Sequence, residues 1–166
     1  DMCIYTSTRR NETASKTKRA KPNQTETALI ALENPEAVMK LFGRATNMVG
    51  DTLTAFEYMN RNSLWVSCEY TEGVRDPFED AHPAYVLMEL TSPRAGTDLR
   101  DALEKLLEDA FEAGEVVDAV ITESGQQRHD IWHIREAISD AQKGEGASIK
   151  NDLSIPISRV TDFIAK

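Results

Sequence analysis

Two β-α-β units in succession constrain this chain more than any other feature of its sequence. Residues 25–32 (TETALIAL), 53–59 (LTAFEYM), 84–90 (AYVLMEL) and 116–122 (VVDAVIT) are apolar runs of strand length. An amphipathic helix is expected between the first two. Asn34 caps it, Pro35 takes its first position, and Val38, Leu41, Phe42, Ala45 and Met48 recur at helical spacing up to Gly50. A second helix separates the last two runs. It is capped by Asp98, carries Leu99, Leu103, Leu106, Leu107, Ala110 and Phe111, and closes at Gly114. Residues 60–70 form a shorter helix, followed by the acidic, proline-containing loop TEGVRDPFEDAHP, long enough to dock a partner or cover a site. The pattern predicts an α+β fold: a ferredoxin-like α/β sandwich with an antiparallel sheet of split βαβ units, extended at its C-terminus by a helix, a strand and a helix.

In 53–59 strict alternation sends Leu53, Ala55 and Glu57 to one face and Thr54, Phe56 and Tyr58 to the other. Glu57 is a carboxylate inside a strand, which either satisfies a buried polar contact or faces a neighbouring domain. Residues 1–24 are rich in Thr, Ser, Lys and Arg with few apolar anchors, and are expected to form an irregular, mobile basic arm. The globular part is then 25–166.

Charge separates these parts. The formal net charge is −9, yet residues 1–26 hold six basic and three acidic residues, which leaves 13 basic against 25 acidic in the remainder. So acidic a body repels a phosphate backbone, so no nucleic-acid partner is expected. Cys3 and Cys68 make neither a disulfide framework nor a metal site. Two reduced thiols and the lack of a signal sequence point to the cytoplasm. No apolar run approaches the roughly 18 residues of a membrane span. The chain starts at Asp-Met and ends on a helical pattern, as a piece of a longer polypeptide would.

The segment 130–165 (DIWHIREAISDAQKGEGASIKNDLSIPISRVTDFIA) carries the candidate chemistry. In a helix over 126–141, Ile131, Ile134, Ile138 and Ala141 form the buried stripe, while Trp132, Arg135, Ser139 and Gln142 recur on the adjacent face, turned by about 100°. No carboxylate lies at the helical spacing that would pair with Arg135, so its partner comes from elsewhere in the fold, from solvent or from a ligand. On spacing alone an ordinary surface arginine lying over Trp132 explains it. A strand over 148–155 would put Ser148, Lys150, Asp152 and Ser154 on one face. Lys150 and Asp152 can pair across the pleat. If strand and helix pack side by side, Arg135, Lys150 and the Ser139 hydroxyl instead converge as a carboxylate-binding group.

The phrases LTAFEYMNR, AYVLMEL, IWHIREAISDA and IKNDLSIPISRVTDFI, in this order, resemble the C-terminal substrate (cap) domain of FAD-linked oxidases. The closest branch contains D-lactate, glycolate and D-2-hydroxyglutarate dehydrogenases of the vanillyl-alcohol-oxidase type. The joint pattern W-x-x-R-E-x-I followed by K-x-D-x-S-x-P carries the likeness, which covers 24–166. It implies that Arg135 grips a substrate carboxylate, that Ser139 stands where hydroxyglutarate members place a substrate-contacting threonine, and that Lys150 is the second cationic contact. Trp132 and Asp152 would lie near the cofactor, although Asn151 stands where many relatives have an aromatic.

The resemblance further implies hydride transfer from the substrate α-carbon to flavin N5, with FAD bound mainly by an FAD-binding domain of the same parent polypeptide. This chain has no glycine-rich phosphate segment, so alone it would not be catalytic. A downstream segment absent here would hold a divalent metal in several members. His129 and His133, four apart, lack a third ligand and read as surface or capping residues. The small-molecule partner would be a 2-hydroxy-carboxylate, and a homodimer is compatible with the arrangement. The competing expectation is a stand-alone ferredoxin-like ligand-binding or protein-interaction module.

Overall fold

The computed structural model describes residues 3–6, 24–94, 96, 98–147, 155–156 and 159–164. The elements run β1 (Cys3–Thr6), β2 (Gln24–Leu32), α1 (Pro35–Val49), β3 (Leu53–Asn60), α2 (Arg61–Tyr70), β4 (Ala84–Ser92), α3 (Leu99–Glu112), β5 (Asp118–Ile121), α4 (Gly125–Ala141) and α5 (Val160–Ile164). Side-chain caps start three of the helices: Asn34 Oδ1 accepts from the Ala37 amide at 2.8 Å, Asn60 Oδ1 from Ser63 at 2.8 Å and Ser124 Oγ from Gln127 at 3.1 Å. Asp98 precedes α3 as expected but makes no side-chain cap bond.

The five strands lie in the order β1-β3-β4-β2-β5, each pair antiparallel. Strands β3-β4-β2-β5 with crossovers α1 and α3 make up the expected ferredoxin-like topology. Two details differ from the sequence expectation. Cys3–Thr6 is not irregular but pairs with β3 from Cys3↔Met59 to Thr6↔Phe56. The pairing of β3 with β4 slips between Leu53 and Ala55. This bulge turns Leu53 onto the same face as Phe56 and Tyr58, against strict alternation.

Both faces of the sheet are covered. On one, α1 and α3 pack Val38, Leu41, Leu103 and Leu106 against Ile30, Phe56, Val86 and Met88. On the other, α2 and α4 press Leu64, Ile131, Ile134 and Ile138 onto Leu29, Met59, Tyr85 and Leu87. The helix expected as a C-terminal extension is therefore part of a third layer. Burial on two sides explains why 84–88 is a continuous apolar run rather than an alternating one. Each of the three α4 isoleucines contributes about 1.5–3 kcal/mol by leaving water, so the apolar stripe supplies much of what docks α4.

The long loop between α2 and β4 is part of this second core. Val74 and Phe78 are buried, and the Phe78 ring lies 5.6 Å from that of Tyr85. Arg61 Nη1 donates to Asp76 Oδ2 at 2.6 Å and to Tyr85 Oη at 2.9 Å, and the His82 amide donates to the same Oη at 2.8 Å. A loop tied at three points is a plug, not a lid.

Candidate functional site

The face of the sheet beneath α4 carries two carboxylates among apolar residues. Glu57 on β3 is opposite Leu87, while Glu89 on β4 is opposite Ala55 on one side and Thr27 on the other. The two glutamates are thus diagonal neighbours on adjacent strands. Each receives one side chain from α4. Arg135 Nε donates to Glu57 Oε2, and Trp132 Nε1 donates to Glu89 Oε2 at 2.8 Å. Thr27 Oγ1 adds a bond to the same Glu89 oxygen at 3.2 Å. Trp132 and Arg135, three residues apart on one side of α4, thus reach adjacent strands.

The partner sought for Arg135 is therefore Glu57, from elsewhere in the fold. The Glu57 side chain is only 3% exposed, so its charge is compensated mainly by the guanidinium. The Arg135 side chain remains 30% exposed. Trp132 is half-buried, wedged between α4 and the second core. Ser139 lies one turn beyond Arg135 on the same face, in the exposed last part of α4. The structure thus brings Trp132, Arg135 and Ser139 onto one strip. Lys150 and Asp152, with the strand expected over 148–155, lie outside the described residues.

Sequence reasoning weighed Glu57 and missed Glu89 and Thr27. Their only signal is a polar residue at a strand position whose neighbours are apolar.

The exit from α4 is fixed as well. Gly144 lies so close to Tyr70 that a Cβ there would fall 2.3 Å from Tyr70 Cδ1, and Tyr70 Oη donates to Glu145 Oε1 at 2.6 Å. On the same side, the Cys68 thiol is half-buried, and burial pushes its pKa from the ordinary 9.0 up to about 11. It is a poor nucleophile and a poor metal ligand at neutral pH.

Among the described residues no three His, Cys, Asp or Glu side chains come together as a metal site. His129 and His133 stack with centroids 6.0 Å apart on the outer side of α4. A cavity of about 370 Å³ opens at the α4 N-terminus beside Arg100, Arg128, Ser124 and Gly125, but Glu26 and Glu123 also line it. Arg100 already pairs there with Glu104 at 2.5 Å and lies 3.7 Å from Glu26. Two carboxylates beside the helix end do not fit a pyrophosphate, and no glycine-rich turn among the described residues offers a row of amides to one. The described residues by themselves do not fit a bound dinucleotide.

Comparison with known proteins follows the same lines. The family model described as FAD linked oxidases, C-terminal domain, matches residues 21–166. The chain belongs to this family. Among relatives of this FAD-linked oxidase C-terminal domain, a mitochondrial D-2-hydroxyglutarate dehydrogenase of Arabidopsis thaliana is 34% identical over 137 residues, covering 82% of the chain and 24% of the relative. The mitochondrial D-2-hydroxyglutarate dehydrogenase of Rattus norvegicus is 26% identical over 144 residues, covering 87% and 26%. A D-2-hydroxyglutarate–pyruvate transhydrogenase of Saccharomyces cerevisiae is 28% identical over 141 residues, covering 83% and 28%. The FAD-linked oxidase domain described here thus spans about a quarter of the length of these relatives. No helix among its described residues is long and apolar enough to cross a membrane.

Proposed function

We propose that this chain is the substrate-binding domain of an FAD-dependent D-2-hydroxy-acid dehydrogenase, with D-2-hydroxyglutarate the favoured substrate. The observation that carries the reading is Arg135: a guanidinium held by a buried carboxylate on one side and 30% exposed at the side chain, on the helix that carries the family pattern. Its planar fork suits a carboxylate, the group shared by all 2-hydroxy acids. Ser139, on the same strip, adds a hydroxyl donor, and Lys150 a second positive charge. Two cations and a hydroxyl suit a dicarboxylate, and the relatives' names specify D-2-hydroxyglutarate. Trp132 and Asp152 would border the cofactor.

The division of labour follows from what these residues can do. None of Arg135, Ser139 or Lys150 is suited to abstract a hydride, so they hold and orient the acid. FAD, bound mainly by another domain of the parent polypeptide, supplies the oxidising chemistry. No three-ligand cluster among the described residues would hold a divalent metal, so we assign any such ion of the reaction to another part of the parent polypeptide, and the domain alone would not turn over. The relatives' names place those proteins in mitochondria, whereas a chain with only two cysteines suits the cytoplasm equally well; fractionation of cells expressing the parent protein decides between the two.

Arg135→Ala in the full-length parent tests the reading. Loss of a charged contact made by the substrate lowers kcat/KM for D-2-hydroxyglutarate by about 2–4 kcal/mol, roughly 30- to 900-fold. Unchanged steady-state kinetics would remove Arg135 from the site.

A further inference from the structure

The inner stripe of α4 sets what its outer side can hold. Ile131 and Ile134 are buried against the sheet and anchor the turn that separates His129 from His133, so the two histidines are carried on backbone that the fold has already ordered. Residues four apart on a helix face the same way, with Cβ atoms about 5–6 Å apart. The two imidazoles lie nearly parallel, 4° between planes, with centroids 6.0 Å apart. His129 is exposed and His133 half-buried. Two imidazoles sharing one ion at Zn–N distances of about 2.0–2.1 Å have centroids roughly 5 Å apart. The rings therefore need to close by only about 1 Å, which their χ1 and χ2 angles supply without moving the helix. Either ring nitrogen can serve as the ligand.

We propose that His129 and His133 form a two-imidazole site for a late first-row divalent metal ion, clamped across one turn on the outer side of α4. Imidazole suits Zn²⁺, Ni²⁺ and Cu²⁺, whereas Mg²⁺ and Ca²⁺ require oxygen ligands. The formal net charge of −9 favours a cation at the surface. No third His, Cys, Asp or Glu among the described residues joins the pair, so the remaining positions are left to water and the site is open rather than structural. Chelation requires the helical turn. A bound ion therefore resists local opening of α4, the element that carries Trp132, Arg135 and Ser139. The site is independent of the role given to Arg135 and needs no substrate.

The test is a calorimetric titration of the untagged full-length parent with Ni²⁺, compared with the same titration of His129→Ala, His133→Ala and the double variant. Alanine favours the helix at both positions, so the variants keep the fold. One ion-binding event of the parent is expected to weaken about tenfold or more when either histidine is replaced, because a chelate fails when one arm is lost. The double variant should then be little worse than either single one, and His82→Gln, which removes the remaining histidine of the chain, should leave that event unchanged. A second readout follows the helix itself: Ni²⁺ slows amide hydrogen exchange across 125–141 in the parent and in neither single variant, and Mg²⁺ has no such effect. Identical Ni²⁺ titrations for the parent and the variants would overturn the site. Small losses from each single substitution that add in the double variant would show two separate imidazoles and overturn the clamp, as would slowing of exchange by Ni²⁺ that survives loss of both histidines.

Discussion

Trp132 of α4 and Glu89 of β4 are joined by an indole N–H···carboxylate bond of 2.8 Å across the boundary between the helical layer and the sheet. The apolar stripe of α4 sets how closely the helix lies on the sheet. This polar contact and its neighbour from Arg135 to Glu57 set its rotation, which an apolar contact specifies only loosely.

Trp132→Phe keeps most of the ring packing and removes the donor. Glu89 retains Thr27, so the expected cost is about 1–2 kcal/mol, in the range for a hydrogen bond to a charged group. For a chain of this size that lowers Tm by roughly 2–8 °C. An unchanged melting curve would show that the bond contributes nothing to holding α4.

Tyr85→Phe should loosen the plug between α2 and β4. The hydroxyl receives both Arg61 Nη1 and the His82 amide, and its removal leaves a part-buried N–H without its acceptor, at a cost of about 1–3 kcal/mol. Limited trypsin digestion reads the effect at Arg75, an exposed site within the loop. Faster cleavage there, with cleavage after other exposed basic residues unchanged, is the expected result; equal rates would mean that the Tyr85 hydroxyl contributes nothing to holding the segment.

Cys68 gives a pH-dependent signature. Burial favours the neutral thiol, so its pKa in the folded chain, about 11, lies above the ordinary 9.0. The folded state therefore binds the proton more tightly than the unfolded state, and the stability linked to it is complete below about pH 9 and lost as pH rises towards about 11. Alkylation by iodoacetamide, followed by mass spectrometry of the Cys68 peptide, should be slow at pH 8 and accelerate on unfolding. Rapid modification of the folded protein at pH 8 would contradict the raised value.

Much of the fold was legible because apolar periodicity reports burial directly. Leu99 through Phe111 could hardly be anything but a helix with one buried side, and AYVLMEL could hardly be anything but a central strand. What escaped has specific causes. Cys3–Thr6 is four residues long and sits in polar sequence, so its pairing with β3 is a tertiary event that no local pattern announces. The bulge near Thr54 changes the face of Leu53 without changing any residue type. The same limit applies to the site. Helical spacing grouped Trp132, Arg135 and Ser139, since all three share one element. The acceptors of Trp132 and Arg135 belong to strands some 40 to 80 residues earlier, and sequence offers no register from which to match Glu89 to Trp132. Lys150 and Asp152 lie outside the described residues, so the half of the site they would form rests on the family pattern.

The inner strands β2, β3 and β4 are nine, eight and nine residues long, whereas the margins of the described sheet, β1 and β5, have four each. A tapered sheet offers an incoming strand few backbone groups on either side. Margins this short, among the described residues, give an incoming strand little purchase for pairing edge to edge beside an apolar interior.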